Sequence, residues 1–324
     1  MIDRPKVIFI MGYGHSGSTL LDIILGNQKN IASAGELFQF DPFSRESNNQ
    51  CSCGLPHSHC SFWRQVAKYF KYSAPWSNSA VLENLKHRYD SWHSIKCWNT
   101  IIRGSGAASS RYLRYQSYLE TMYQAVFRAS GSHIIVDSSK NPCRAATIAK
   151  MDAEIDFCFI HLVRDGRAVG WSMLKKKARQ SKTPLSKKQQ SMVFFKAMIG
   201  WIIVNIQAEF VGRKINKNRY TMVHYEDLTM DPKLFFRCIE KLVGQSMNGQ
   251  YMAIRSGRAL DVGHLVAGNS MRMQNKVVFS PDIQWCDHLP PVFKHLYRLL
   301  GGWVLKRYGY SVSPLGFPQK SRHG

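Results

Sequence analysis

The chain has 324 residues, of which 44% are hydrophobic and 12% aromatic. Such a composition excludes a disordered polymer and supplies enough apolar surface for one large α/β core or two small ones. Forty-four Lys and Arg against 21 Asp and Glu leave a formal charge of +23, which calls for anionic partners such as a phosphorylated nucleotide, an acidic glycan, nucleic acid or a membrane surface.

The opening "MIDRPKVIFIM" holds too short an apolar run for a signal peptide. The longest apolar stretch, 192–210, is interrupted by Lys196, Asn205 and Gln207. It reads as a buried helix rather than a membrane span of ~20 apolar residues. The expectation is a cytoplasmic enzyme; the alternative is a luminal domain separated from its anchor.

Val7–Met11, between Pro5 and Gly12, predicts a buried strand. The loop "GYGHSGST" follows, and Leu20, Leu21, Ile23, Ile24 and Leu25 predict a helix from Ser18 to about Gly26. Ile31–Ala34 predicts a second strand, 41–61 a loop, and 62–130 mostly helix. The clearest helical piece, 111–130, sets Leu113, Tyr115, Leu119, Met122 and Val126 on one face. Strands are predicted at 133–137 and 156–163, with a short helix over 144–151 and another beginning at "RDGRAVGWS". A basic connector over 175–188 leads to the long apolar helix. Residues 219–228, a strand running into an acidic turn, precede a helix with Pro232 in its first turn and Gly244 as its stop. Residues 245–288 read as irregular, and a terminal helix after Pro290 reads as broken at Gly301-Gly302.

Alternating strands and helices predict a three-layer α/β fold, P-loop-like, with a central mainly parallel sheet flanked by helices. Residues 1–324 read as one domain, with 41–130 a largely helical insertion carrying a Cys-rich loop. Ligands of such sheets sit at the carboxyl ends of the strands. "GHSGST", "DSSKNP" and "RDGRA" each follow a predicted strand, so they should meet at one edge.

Gly12, Gly17 and Thr19 fall where a phosphate loop G-x-x-x-x-G-K-[ST] requires them, and Ser18 stands in place of the lysine. The loop's glycines and the following helix suit an anion. A Walker-type nucleotidase is disfavoured, because Ser18 cannot reach β- and γ-phosphates as that lysine does.

"GHSGSTLL" resembles the 5′-phosphosulfate loop of the sulfotransferases that use 3′-phosphoadenosine 5′-phosphosulfate (PAPS), with His15 where most members carry Arg or Lys. "VRDGRAVGWS" resembles their 3′-phosphate element, Arg164 followed eight residues later by Ser172. The similarity spans roughly 5–175, and "VHYEDLTMDP" and "HLVAGNSMR" echo the family's C-terminal half.

The resemblance implies PAPS as co-substrate, adenosine 3′,5′-bisphosphate as product, and no required metal. It implies a donor site made of Gly14, His15, Ser16, Gly17, Ser18, Thr19, Arg164 and Ser172, with Tyr225 lining it and Arg272 a second 3′-phosphate ligand. Glu36, 21 residues after His15, is placed like the catalytic base of the tyrosylprotein branch. Lys140 resembles a lysine that members place on the transferring group, with Ser138 and Ser139 assisting. Asp165 reads as a helix cap and Arg167 as a loop support. Glu36 as an exposed helix-starting residue, Lys140 as part of a cap turn, and His57, His59, His133 or His161 as base are the competing readings.

The implied reaction is sulfuryl transfer to a hydroxyl of a carbohydrate or glycoconjugate acceptor, possibly anionic, with peptide tyrosine the alternative and no nucleic-acid partner. Readings from other classes are a P-loop nucleotide kinase and a non-catalytic basic protein that binds nucleic acid or glycan. Cys97, Cys143, Cys158, Cys238 and Cys286 are scattered and read as reduced core thiols. Cys51, Cys53 and Cys60 cluster with His57 and His59. They read as thiols tying down a loop; a metal site and a disulfide are alternatives, C-x-C-x6-C being none of the common finger spacings.

Overall fold

Val7, Ile8, Phe9, Ile10 and Met11 are each fully buried because strand β1 (Lys6–Met11) is the middle of the main sheet. The structure is a computed structural model describing residues 4–44, 50–73, 78–91, 98–99, 101 and 109–313. β1 is flanked on one side by β3 (Ile134–Lys140) and then β2 (Ile31–Gly35), and on the other by β4 (Asp156–Val163) and then β5 (Tyr220–His224). All four pairings are parallel, so helices must cover both faces.

The two-residue period of β1 divides the core. Val7, Phe9 and Met11 face one cluster with α2 (Ser61–Ser73), α4 (Ser110–Ser130) and α5 (Pro142–Ile148). Ile8 and Ile10 face the other with α1 (Ser18–Gly26) and α9 (Pro232–Val243). α3 (Ser79–Asp90) packs against α4, and α8 (Asp227–Met230) follows β5. A third cluster joins α6 (Gly166–Gln180), α7 (Lys187–Lys214) and the C-terminal helix Pro291–Arg307. Among the described residues α7 is the one helix long and apolar enough to cross a membrane. It instead buries Phe194, Met198, Trp201, Val204, Ala208 and Val211 within the protein.

Several boundaries depart from the sequence expectation. α4 buries Tyr112, Tyr115, Tyr118, Leu119, Met122 and Val126, while Leu113 is exposed; the true apolar face is built of tyrosines and lies to one side of Leu113. β3 runs on through Lys140 rather than ending at Asp137. Residues 175–180 are the last turns of α6 and not connector. The irregular 245–288 stretch contains helix α10 (Asn248–Arg255). The C-terminal helix is continuous through Gly301-Gly302, because Gly301 lies against the Tyr297 ring where a Cβ would come within 2.6 Å. Cys143, expected as a reduced thiol, is disulfide-bonded; Cys97 lies outside the described residues.

Candidate active site

The carboxyl ends of all five strands open onto one cavity of about 890 Å³, a volume that suits a nucleotide-sized ligand. β1 supplies Gly14, His15, Gly17, Ser18 and Thr19; β2 supplies Glu36, β3 Lys140, β4 Arg164, and β5 Tyr225. Ser172, on α6, and Arg272 complete the set. Of the expected site residues, Ser16 is absent from the cavity wall. It is buried beneath the loop, and its Oγ has no hydrogen-bond partner among the described residues.

Gly17 caps α1 with φ 94° and no side-chain hydrogen bond. The first N–H groups of the helix are thereby left for a ligand, together with the positive end of its dipole. A Cβ on Gly17 would meet the Tyr225 ring at 2.4 Å, so tight contact with Tyr225 as well as backbone conformation requires glycine here. Two non-glycine residues of the site, His15 and Lys140, share the left-handed conformation at φ 67°. Such strain is concentrated where surrounding structure fixes a functional side chain.

His15 Nδ1 lies 2.9 Å from Ser172 Oγ, which ties the glycine loop to α6. Burial, reinforced by the Lys176, Lys140 and Arg164 charges, lowers the His15 pKa to about 4. The imidazole that replaces the usual cation is therefore neutral near pH 7.

Arg164 is held through both terminal nitrogens and the face of its guanidinium. Nη1 donates to His15 O at 3.2 Å, Nη2 donates to Asp282 O at 3.0 Å, and the guanidinium lies over the Tyr225 ring at 4.4 Å. The Asp282 carboxylate makes an ion pair with Arg164 at 3.1 Å and with Lys175 at 3.5 Å. The Asp282 carboxylate thus occupies the outer face of the Arg164 guanidinium fork. Asp165 caps α6 through Arg167 N at 2.8 Å, and Arg167 binds Asp165 and the carbonyls of Ser311 and Ser313. Both are supports, as the sequence suggested.

Lys140 Nζ donates to Glu36 Oε1, with both side chains largely buried. Beneath them, Asp22 Oδ2 accepts from Gly35 N at 3.0 Å and from Ser138 Oγ at 2.7 Å. Burial drives the Asp22 carboxyl up to about 7. Ser139 Oγ donates to Asp137 and accepts from Phe38 N at 3.0 Å, so the two serines brace the strand ends that carry Glu36 and Lys140. Neither faces the cavity as an assisting ligand.

The segment bearing Arg272 reaches the cavity because Asn269 N donates to Thr19 Oγ1 at 2.9 Å. Lys175, Lys176 and Arg179, the last turns of α6, also line the cavity, so that part of the basic stretch lies over the cleft. None of His57, His59, His133 and His161 lines it. His161 is a core residue, held by Tyr220 Oη at 3.1 Å and Asn205 Oδ1 at 3.0 Å.

Sequence reasoning missed Asp22 and Asp282. Asp22 had a signal: it is the lone acid inside "LLDIIL", a charge on an otherwise apolar helix. Asp282 had none, since its place opposite Arg164 depends on a long irregular segment folding back.

A model of the Sulfotransferase family matches residues 5–248. The chain belongs to the sulfotransferase family. No curated protein sequence matches this sulfotransferase. Among solved structures it is similar to the sulfotransferase domain of the Synechococcus PCC 7002 olefin synthase, at 16% identity and TM-score 0.48 over 95% of this chain and 96% of that one. It is similar to the sulfotransferase domain of the curacin biosynthetic pathway at 14% identity and TM-score 0.49, over 95% and 99% of the two chains. STF1 of Mycobacterium tuberculosis H37Rv aligns at 14% identity and TM-score 0.41, over 80% and 73%. The family match makes the chain an enzyme and sets aside the kinase and non-catalytic readings. It extends beyond 5–175 to include "VHYEDLTMDP" but ends before Arg272.

Proposed function

We propose that this sulfotransferase moves the sulfuryl group of PAPS to a hydroxyl of a carbohydrate or glycoconjugate and releases adenosine 3′,5′-bisphosphate. The observation that carries the reading is one cavity shared by an uncapped helix N-terminus, an arginine fork and a carboxylate–lysine pair. These three suit, in turn, a 5′-phosphosulfate, a 3′-phosphate and an acceptor hydroxyl.

In this reading Gly14, Gly17, Ser18 and Thr19 hold the phosphosulfate through N–H groups and hydroxyls, with His15 as a neutral partner and Ser16 buried beneath the loop. Arg164 and Ser172 hold the 3′-phosphate, Arg272 is its second cation, and Tyr225 lines the nucleotide site. Glu36 takes the proton of the acceptor hydroxyl as that oxygen bonds to sulfur. The bond from sulfur to the phosphate oxygen breaks, its electron pair leaves on the nucleotide, and Lys140 offsets the charge that develops there.

Lys175, Lys176 and Arg179 give the cleft wall a run of positive charge, which supports an anionic acceptor such as an acidic glycan. The helices of 41–130 share a core cluster with β1, which supports one catalytic unit over the whole chain.

Transfer of labelled sulfuryl from PAPS to a panel of sugars, glycoconjugates and tyrosyl peptides tests the reading. Label is expected on the saccharides; label on tyrosyl peptides alone would replace the acceptor, and no label on any hydroxyl would remove the donor as well.

A further inference from the structure

Three cysteines and one histidine that the reaction does not use come together beside the active site. The Sγ atoms of Cys51, Cys53 and Cys60 and a ring nitrogen of His264 all lie within 4.8 Å of one another. We propose that these four residues bind a structural Zn²⁺ that clamps the loop 50–60 to the segment 263–272.

The distances carry the argument. A tetrahedral zinc, with Zn–S of about 2.3 Å and Zn–N of about 2.0 Å, sets its sulfur and nitrogen ligands about 3.5 Å apart. His264 Nδ1 lies 3.6 Å from Cys51 Sγ and 3.4 Å from Cys60 Sγ. The three cysteines are free of disulfides. Three thiolates and an imidazole are a donor set that selects zinc. Loading it releases the three thiol protons and leaves a site of net charge −1, with His264 neutral. All four positions are filled by protein, which makes the site structural rather than catalytic.

The local fold builds this donor set for reasons of its own. Gly54, at φ 86°, turns the chain so that its N–H donates to Cys51 O at 2.9 Å, and Cys51 N donates to Leu55 O at 2.9 Å. That knuckle presents Cys51 and Cys53 together. Cys60 immediately precedes α2, whose N-terminal dipole favours a thiolate. Ser52 Oγ donates to Gly263 O at 2.6 Å and accepts from Leu265 N at 2.8 Å, gripping the backbone on both sides of His264. The Phe62 ring stacks on the His264 imidazole with an interplanar angle of 8°. The histidines nearer in sequence are occupied elsewhere, His57 with Val266 O at 3.1 Å and His59 with Ser58 at 3.1 Å.

The clamp bears on the active site through the backbone. Val266 N donates to Ala34 O at 3.1 Å and Glu36 N to Ala267 O at 3.4 Å, so the clamped segment extends the strand end carrying Glu36. Arg272 Nη1 donates to Gln50 O at 2.8 Å, so one wall of the donor cavity hangs on the same clamp.

Metal analysis of the full chain, purified from zinc-supplemented culture under reducing conditions, tests this. The expected result is about one Zn per chain, retained on dialysis and released by a mercurial thiol reagent. Cobalt in its place should give a thiolate-to-metal charge-transfer band and the intense visible bands of a tetrahedral site. Cys53→Ser, at an exposed position, and His264→Asn should each lower metal retention more than ~tenfold. Less than about a tenth of a Zn per chain with no tetrahedral cobalt spectrum, a disulfide among the three cysteines in a peptide map, or undiminished retention in both variants would each overturn the proposal.

Discussion

Lys140 at the end of β3 and Glu36 just after the adjacent β2 form an ion pair that lines the cavity. In the proposed reaction the pair divides the work between proton acceptor and cation. Glu36→Gln keeps the size and the hydrogen bond to Lys140 but removes the base. Turnover should fall roughly 10²- to 10⁴-fold, the range of a general base, while nucleotide affinity measured by calorimetry stays within a few-fold of wild type. Near-normal turnover in that variant would show that another group takes the proton.

In the proposed reaction Arg164 reads the phosphate that distinguishes adenosine 3′,5′-bisphosphate from ADP. Arg164→Ala should weaken binding of the 3′,5′-bisphosphate by about 1.5–3 kcal/mol, the range for a hydrogen-bonded charge, and leave the weak binding of ADP with Mg²⁺ unchanged. Thermal-shift titrations with the two nucleotides make the comparison. Equal losses for both would detach Arg164 from the 3′-phosphate.

Asp282 neutralises Arg164 and Lys175 in the free enzyme. Asp282→Asn should therefore tighten 3′,5′-bisphosphate binding several-fold at low ionic strength, with the gain shrinking as salt screens the added charge. Affinity that is unchanged at every salt concentration would mean that the carboxylate swings clear at no cost.

His15 has a pKa lowered to about 4 by burial and the surrounding cations, so it carries no charge to lose between pH 6 and pH 8. Nucleotide affinity of wild type and of His15→Asn, a residue that accepts the left-handed backbone, should vary with pH in parallel over that range. A wild-type affinity that climbs more steeply toward pH 6 than the variant's would show that the bound anion recruits an imidazolium.

Asp22, whose carboxyl burial raises from 3.8 to about 7, favours its protonated form in the fold. The folded state then holds the extra proton between those values, and stability from this group falls as pH rises through them. Asp22→Asn, which cannot ionise, should gain on wild type by as much as ~4 kcal/mol between pH 4 and pH 7 and level off above. Denaturant unfolding at three pH values measures it. A difference that is flat with pH would place the ionised Asp22 in the native state throughout.

The alternating strand and helix pattern, the phosphate-type loop and the Arg164–Ser172 spacing were legible in the sequence, because each depends on residues close together in the chain. Helix caps were legible for the same reason: Asp165, Pro232 and Gly244 act where local rules place them. The face of α4 was half legible, since tyrosines mark the buried side less clearly than leucines do. The extent of β3 was not, because "DSSK" is polar and becomes strand only by pairing with β1 and β2.

What the sequence by itself determined is the set of chemical groups: a glycine loop without lysine, an arginine, a carboxylate and a lysine at strand ends. Only the tertiary structure decided their mutual electrostatics. Neutral His15 depends on its burial and on the Lys176, Lys140 and Arg164 charges brought around it, and Asp282 reaches Arg164 across 118 residues of chain. His264 joins Cys60 across 204 residues. Charge and ligation depend on distance in space, and local sequence patterns carry no record of which distant side chain fills the remaining place.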